Sequence, residues 1–228
     1  MGSAQVLSFF SLPAIFMAED EFHHYLDYPL YGGKKMNQKM SDFTETLRQT
    51  DYAHILYLTE QTDVYIENAV SYVLDGVRNG DRVLFVENPR IYPQIQKKLQ
   101  QLLTAEELDL IHYVNNFDFY WRKGNFHPEA ILEYFESVVG SFTSDGRQCR
   151  TWGHIEWGSQ EDIDQKIIDY ETEIDRSVPR RKVVSVCAYD ARRVSDSLRE
   201  RLMHCHGYLM KDQSISALSF YDDKKARN

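Results

Sequence analysis

Basic charge is in short supply in this chain: 26 Lys plus Arg stand against 35 Asp plus Glu over 228 residues, a formal net charge of −9. Binding a phosphate backbone needs a concentrated basic face, so this balance excludes nucleic acid as the natural partner. Cysteine is scarce and odd in number, three in all. That excludes a disulfide framework and predicts a reducing, cytoplasmic setting. With 11 glycines and 6 prolines, collagen-like and low-complexity readings fall away as well. No apolar run is long enough to span a bilayer. The nearest candidate, residues 6–18, is broken by Ser8, Ser11 and Pro13, and no Lys or Arg precedes it as a signal peptide would require. No internal repeat is visible. What is present is a hydrophobic fraction of 43%, enough to bury a core.

At roughly 150 residues per domain, the length suits one large domain with an appendage. Residues 1–35 read as that appendage. They carry interleaved Phe9, Phe10, Phe16, Phe22, Tyr25 and Tyr28, then Gly32-Gly33-Lys34-Lys35. A partner-docking arm fits the aromatics, and a cloning-derived or fused terminus fits the opening Met-Gly-Ser equally. Residues 36–228 form the single domain, opening on a polar helical stretch at 41–50.

From residue 52, strands and helices alternate. The runs AHILYL (53–58) and RVLFV (82–86) have the near-continuous apolar character of buried strands, 108–114 and 149–156 read as further strands, and VVSVCA (183–188) is the most β-branched run of all. Between them lie helical spacings: Ile66, Val70, Val73, Leu74 and Val77 ahead of Asn79-Gly80, then 91–103, 128–142 opened by proline, 162–176 and 195–204. Thr62 or Asp63 is placed to cap the first helix. Short strands are expected at 208–210 and 215–221. This order predicts a three-layer α/β fold, a mainly parallel central sheet with helices on both faces. The longest irregular stretch is 115–127, and its aromatic content argues against disorder.

In such sheets ligands bind beyond the carboxyl ends of the strands. Those ends carry Glu60, then Glu87, Asn88 and Arg90, then Glu156 and Trp157, and finally Tyr189 and Asp190. Loops are polar in any α/β protein, so the distribution alone does not establish a cleft. The first strand–helix loop, Thr59-Glu60-Gln61-Thr62-Asp63, lacks the Gly and Lys that wrap and neutralise a triphosphate, and adds carboxylates that repel one. No Gly-x-Ser-x-Gly elbow occurs. No catalytic residue is therefore assigned.

Cys187, Cys149 and the trio His204-Cys205-His206 offer metal-ligand chemistry, but without the paired Cys spacing that marks a zinc site. The buried-hydrophobe reading of Cys149 and Cys187 is preferred, and no metal or other cofactor is expected. Cys205 could instead serve as a thiol sensor. His54 is either a hydrogen-bonded core imidazole or a ligand contact. For Glu156, a carboxyl with a burial-raised pKa stands against a plain hydrogen-bonding role.

The blocks His54-Ile-Leu-Tyr-Leu, Tyr65-Ile-Glu-Asn-Ala-Val and 74–86 are followed by Thr151-Trp-Gly-His-Ile-Glu-Trp157, Tyr170-Glu171, Cys187-Ala-Tyr-Asp-Ala-Arg-Arg193 and His206-Gly-Tyr-Leu209. Together they resemble MEDS domains, the methanogen/methylotroph DcmR-type sensory family, over residues 50–212. The resemblance implies a RecA/KaiC-like fold that has lost its phosphate loop. It also implies a non-catalytic sensory role, with a small organic ligand and a partner that is a histidine kinase, anti-sigma factor or transcription regulator. His54, Cys187, Tyr189, Asp190 and His206 match family positions, and with the strand-end residues they complete the expected ligand-binding set. Gly207 stands where the family usually has proline. Two other classes compete with the sensor: a residual nucleotide-binding or metal-dependent hydrolytic enzyme using Glu60, Glu87, Glu156 or Asp190, and an adaptor whose cleft is filled by Trp121, Trp152 and Trp157. Homodimerisation is the prior for assembly, and no membrane association is expected.

Overall fold

The computed structural model describes residues 51–219. The expected appendage at 1–35, the helix at 41–50 and the end of the last strand at Tyr221 lie outside the described residues.

Seven strands form one sheet: β1 (Ala53–Thr59), β2 (Arg82–Glu87), β3 (Ile111–Asn115), β4 (Cys149–His154), β5 (Val183–Asp190), β6 (Tyr208–Lys211) and β7 (Ser214–Ala217). Their order is β3-β2-β4-β5-β1-β6-β7. Every pairing is parallel except the final β6–β7 hairpin. In register, His54 lies beside Ser185, and Leu56 beside Cys187.

The helices are α1 (Thr62–Arg78), α2 (Tyr92–Gln100), α3 (Ala105–Leu108), α4 (Asn116–Tyr120), α5 (Pro128–Phe142), α6 (Ile163–Arg181) and α7 (Asp196–Met203). Because strand side chains alternate between faces, the core divides in two. One cluster joins Ile55, Tyr57, Phe85, Trp152 and Val186 to the apolar stripe of α1 and to Ile95 and Leu99 of α2. The other joins Leu56, Leu84, Cys187 and Tyr189 to α4, α5, α6 and α7. Three layers result, as the alternating sequence requires. Among the described residues, no helix is long and apolar enough to cross a membrane.

Some expectations fail for local reasons. The third strand begins at Ile111 and not at 108, because Thr104 and Glu107 form a reciprocal capping box that opens α3. Residues 115–127 are not an irregular loop throughout. The Asn115 side chain accepts from Phe117 N and starts α4, and Phe119, Tyr120 and Phe126 are core. Helix α6 runs past 176 to Arg181 despite Pro179, which sits in the last turn and removes a single backbone bond. Lys182, at φ 54°, closes it. Helix α1 is capped by neither Thr62 nor Asp63; its N-cap is Gln61, with no side-chain bond of its own.

Candidate functional site

The loop leading into α1 is anchored from the far end of the domain. Asp212, in the β6–β7 turn, accepts from Glu60 N at 3.1 Å and Gln61 N at 3.0 Å through one carboxylate oxygen. The other oxygen accepts from Tyr57 OH and Thr59 Oγ1, both at 2.8 Å. Asn68 Nδ2 donates to the Asp212 carbonyl at 3.2 Å and to Tyr57 OH at 3.0 Å. The amides leading into α1, together with the helix dipole, make this position an anion seat. An internal carboxylate fills it.

At the end of β2, Glu87 is fully buried. It accepts from Asn88 N at 2.6 Å and from Tyr65 OH, and His154 Nδ1 lies 2.6 Å from its Oε1. Trp152 Nε1 donates to Tyr65 OH at 2.8 Å. Burial works against a charged His154, but the Glu87 carboxylate outweighs it and holds the imidazole above its ordinary range. Each Glu87 oxygen has a partner, so this is a satisfied hub beneath the strand-end edge. At the surface of that edge, Glu156 pairs with Arg193 at 2.7 Å, and Arg193 stacks 4.0 Å over Trp157. Asp190 accepts from Arg192 N and its guanidinium, and those bonds hold its carboxyl below the usual range. Asn88 accepts from Arg90 N, and Glu60 is exposed.

A second constellation lies away from the strand ends, inside the layer between the sheet and α6. Ile167, Tyr170, Ile174 and Val178 form the buried stripe of α6, and Glu171 sits within that stripe at 0% exposure. It meets His54 of β1, Cys187 of β5 and His206 from the segment after α7. Their ligand atoms all lie within 4.8 Å of one another, the one such group of His, Cys and carboxylates among the described residues. His54 Nε2 is 3.3 Å from Glu171 Oε2 and 3.5 Å from Cys187 Sγ. His206 Nε2 is 3.5 Å from the same Glu171 oxygen, and the two imidazoles stack with centroids 3.9 Å apart.

The outward atoms of the group are anchored. His54 Nδ1 lies 2.9 Å from the Cys205 carbonyl, and His206 Nδ1 lies 2.7 Å from the Leu202 carbonyl. Tyr189 OH donates to Glu171 Oε1. By contrast Glu171 Oε2 and His206 Nε2, both buried, have no hydrogen-bond partner. Burial pushes the Cys187 thiol up to about 12 and, with the neighbouring charge of His54, the His206 imidazole down to about 3. For Glu171, burial opposes ionisation, but His54 and Tyr189 more than offset it and keep the carboxyl low. Burial likewise opposes a charged His54, and Cys187, Asp175 and Glu171 around it hold its imidazole well above the ordinary value.

The structure thus divides the expected ligand-binding set. His54, Cys187, Tyr189 and His206 converge in the interior. Glu87 belongs to the His154 hub. Glu60, Asn88, Arg90, Glu156, Trp157 and Asp190 line the strand-end edge. Glu171, His154 and Asp212 were not in the set. A carboxylate inside the apolar stripe of α6 is the signal that could have found Glu171. Nothing local marks Asp212, a turn residue. Of the competing readings for single residues, Glu156 is ion-paired and His54 is a buried, hydrogen-bonded imidazole that also faces the cluster. Trp152 is core, at 0% exposure, and so does not fill a strand-end cleft.

No match to the chain is found among curated proteins. Among solved structures it is similar to the flagellar accessory protein FlaH from Methanocaldococcus jannaschii, at 9% identity, covering 79% of this chain and 77% of that one, with a TM-score of 0.46. It is also similar to a solved ATPase domain, at 13% identity, 90% and 83% coverage and a TM-score of 0.45. The family described as the methanogen/methylotroph, DcmR sensory domain matches residues 53–207. That span runs from the start of β1 to the residue after His206 and so holds all four members of the buried cluster: the chain belongs to the MEDS family of sensory domains.

Proposed function

We propose that the chain is a non-catalytic sensory domain that receives a small organic ligand or a partner protein and passes the signal on by protein–protein contact. The recipient would be a histidine kinase, an anti-sigma factor or a transcription regulator. The observation that carries this reading is the Asp212 carboxylate on the amides of Glu60 and Gln61. Where an NTPase of this architecture would seat phosphate, this protein seats its own side chain, with two hydroxyls completing the coordination. A triphosphate would have to displace it and would then meet Glu60 and Asp63 in a loop that carries no lysine of its own. Signalling would be a population shift, set by the difference in ligand affinity between two conformations.

Equilibrium dialysis of the full chain against Mg²⁺ and labelled ATP tests the non-catalytic half of this reading. No saturable uptake and no phosphate release are expected. Mg²⁺-dependent saturation would overturn it in favour of a residual nucleotide-binding or hydrolytic enzyme. Native mass spectrometry of protein from its own host tests the other half. A reproducible bound small molecule or co-purifying regulator is expected, and bare protein with neither counts against it. Asp212→Ala should lower stability by about 2–4 kcal/mol in urea unfolding, because it strands two amides and two hydroxyls. A change under about 0.5 kcal/mol would mean that the loop does not depend on this carboxylate.

A further inference from the structure

We propose that His54, Glu171, Cys187 and His206 form a closed four-coordinate site for a divalent first-row transition ion, with Zn²⁺ best matched to the ligand set. Three features of the geometry carry this. First, the spacing is that of a coordination shell. Zinc holds N, O and S ligands at about 2.0–2.3 Å, so adjacent corners of the tetrahedron lie about 3.3–3.7 Å apart. The separations from His54 Nε2 to Glu171 Oε2, from His54 Nε2 to Cys187 Sγ and from His206 Nε2 to Glu171 Oε2 are 3.3, 3.5 and 3.5 Å.

Second, the inward atoms have the wrong chemistry for one another. With Nδ1–H of His206 donated to the Leu202 carbonyl, Nε2 turns a lone pair toward the Glu171 carboxylate. Two acceptors then face each other in a dry interior, and neither atom makes a hydrogen bond there. Buried polar atoms left in this state are rare and call for a partner. A cation at their centre satisfies both.

Third, the outer shell is already built. In metal sites the distal imidazole N–H is held by a carbonyl or carboxylate, and ligating carboxylates are hydrogen-bonded in turn. Here Cys205 O, Leu202 O and Tyr189 OH occupy those three positions.

Charge closes the argument. A doubly charged ion with one thiolate, one carboxylate and two neutral imidazoles is neutral overall, the state that a wholly apolar layer accepts most cheaply. Binding releases the Cys187 thiol proton, and any second proton carried by His54, to solvent while the metal–sulfur and metal–nitrogen bonds form, with no change in oxidation state. The ligands come from β1, β5, α6 and the segment after α7, so an ion ties the sheet to the helical layer covering it. That such a tie serves signalling rests on the sensory reading above; the site itself does not.

The test is refolding of the full chain from urea with Co²⁺, which carries the ion into a buried position and reports on its ligands. Expected is uptake of one Co²⁺ per chain, with the visible bands of a four-coordinate ion and a thiolate-to-cobalt charge-transfer band. Zn²⁺ should displace it and raise the melting temperature. Cys187→Ser should abolish the charge-transfer band, and His206→Gln should weaken binding at least about a hundredfold. Cys205→Ser and Cys149→Ser should leave the spectrum unchanged. The proposal is overturned if folded wild-type protein takes up no Co²⁺, if the spectrum lacks the thiolate band, or if that band survives Cys187→Ser. Wild-type spectra decide the matter even where a variant does not fold. Failure here with ATP still unbound would leave the sensory reading intact, whereas ATP uptake by a metal-loaded chain would sink that reading alone.

Discussion

Two fully buried glutamates of this domain, Glu87 and Glu171, illustrate how the partners of a carboxylate decide its use. Glu87 is held by Tyr65, His154 and the Asn88 amide, so that its charge is spent entirely within the fold. Glu171 has one oxygen bonded to Tyr189 and the other, between His54 and His206, without a hydrogen bond. The Glu87 hub has a pH signature. The pKa of His154 is raised in the folded protein above its unfolded value near 6.5. Its pairing therefore stabilises the fold fully below that unfolded value and is lost as pH rises through the raised one. Wild-type stability is expected to fall between neutral and mildly alkaline pH by more than that of His154→Gln. Urea midpoints across pH 6–9 would check this, and parallel curves for the two proteins would refute it.

Helix α1 shows how an element can be shaped by a single close approach. Arg150 of β4 lies against it, with its guanidinium 3.0 Å from Asp75 and 2.6 Å from Asp81, all three residues buried. The approach passes over Gly76. A β-carbon there would stand 2.4 Å from Arg150 Cδ and 2.6 Å from Nε. In an open helix, Gly→Ala would add about 0.5–1 kcal/mol of stability. Displacing a buried, doubly paired arginine costs about 3–5 kcal/mol. The second effect is larger, so Gly76→Ala should destabilise the domain by about 2–4 kcal/mol on denaturant unfolding. A neutral or stabilising outcome would mean that Arg150 moves without losing its partners.

For the whole molecule, stability should follow the order of the sheet. β5 lies between β4 and β1, and each of its residues from Val183 to Tyr189 is buried. β7 closes one edge, with three of its four residues exposed, and α3 buries none of its residues. Amide exchange is expected to be slowest in β4, β5 and β1, at rates set by global unfolding, and fastest in β7 and α3. Equal protection of β7 and β5 in exchange followed by mass spectrometry would contradict this ranking.

The elements were legible where local pattern and tertiary setting agree. Strands buried on both faces read as unbroken apolar runs, which is why 53–58 and 183–188 anticipated β1 and β5. Pro128 marked the first turn of α5, and that helix matches its expected bounds. Helix α4 was missed because its five residues are too short for a periodic signal, and its aromatics resemble a loop until the sheet beneath them is known. Family membership was also legible, since ordered short motifs survive without a structure. The site divided along a different line. His54, Cys187 and His206 could be named individually, but their meeting at Glu171 joins four separate parts of the chain, and the loop into α1 is held at Gln61 by a carboxylate 151 residues away. Residue types and local periodicity are properties of neighbouring positions and so are written along the chain. Convergence of distant side chains depends on strand order and on which face each residue presents, and those only the packed sheet decides.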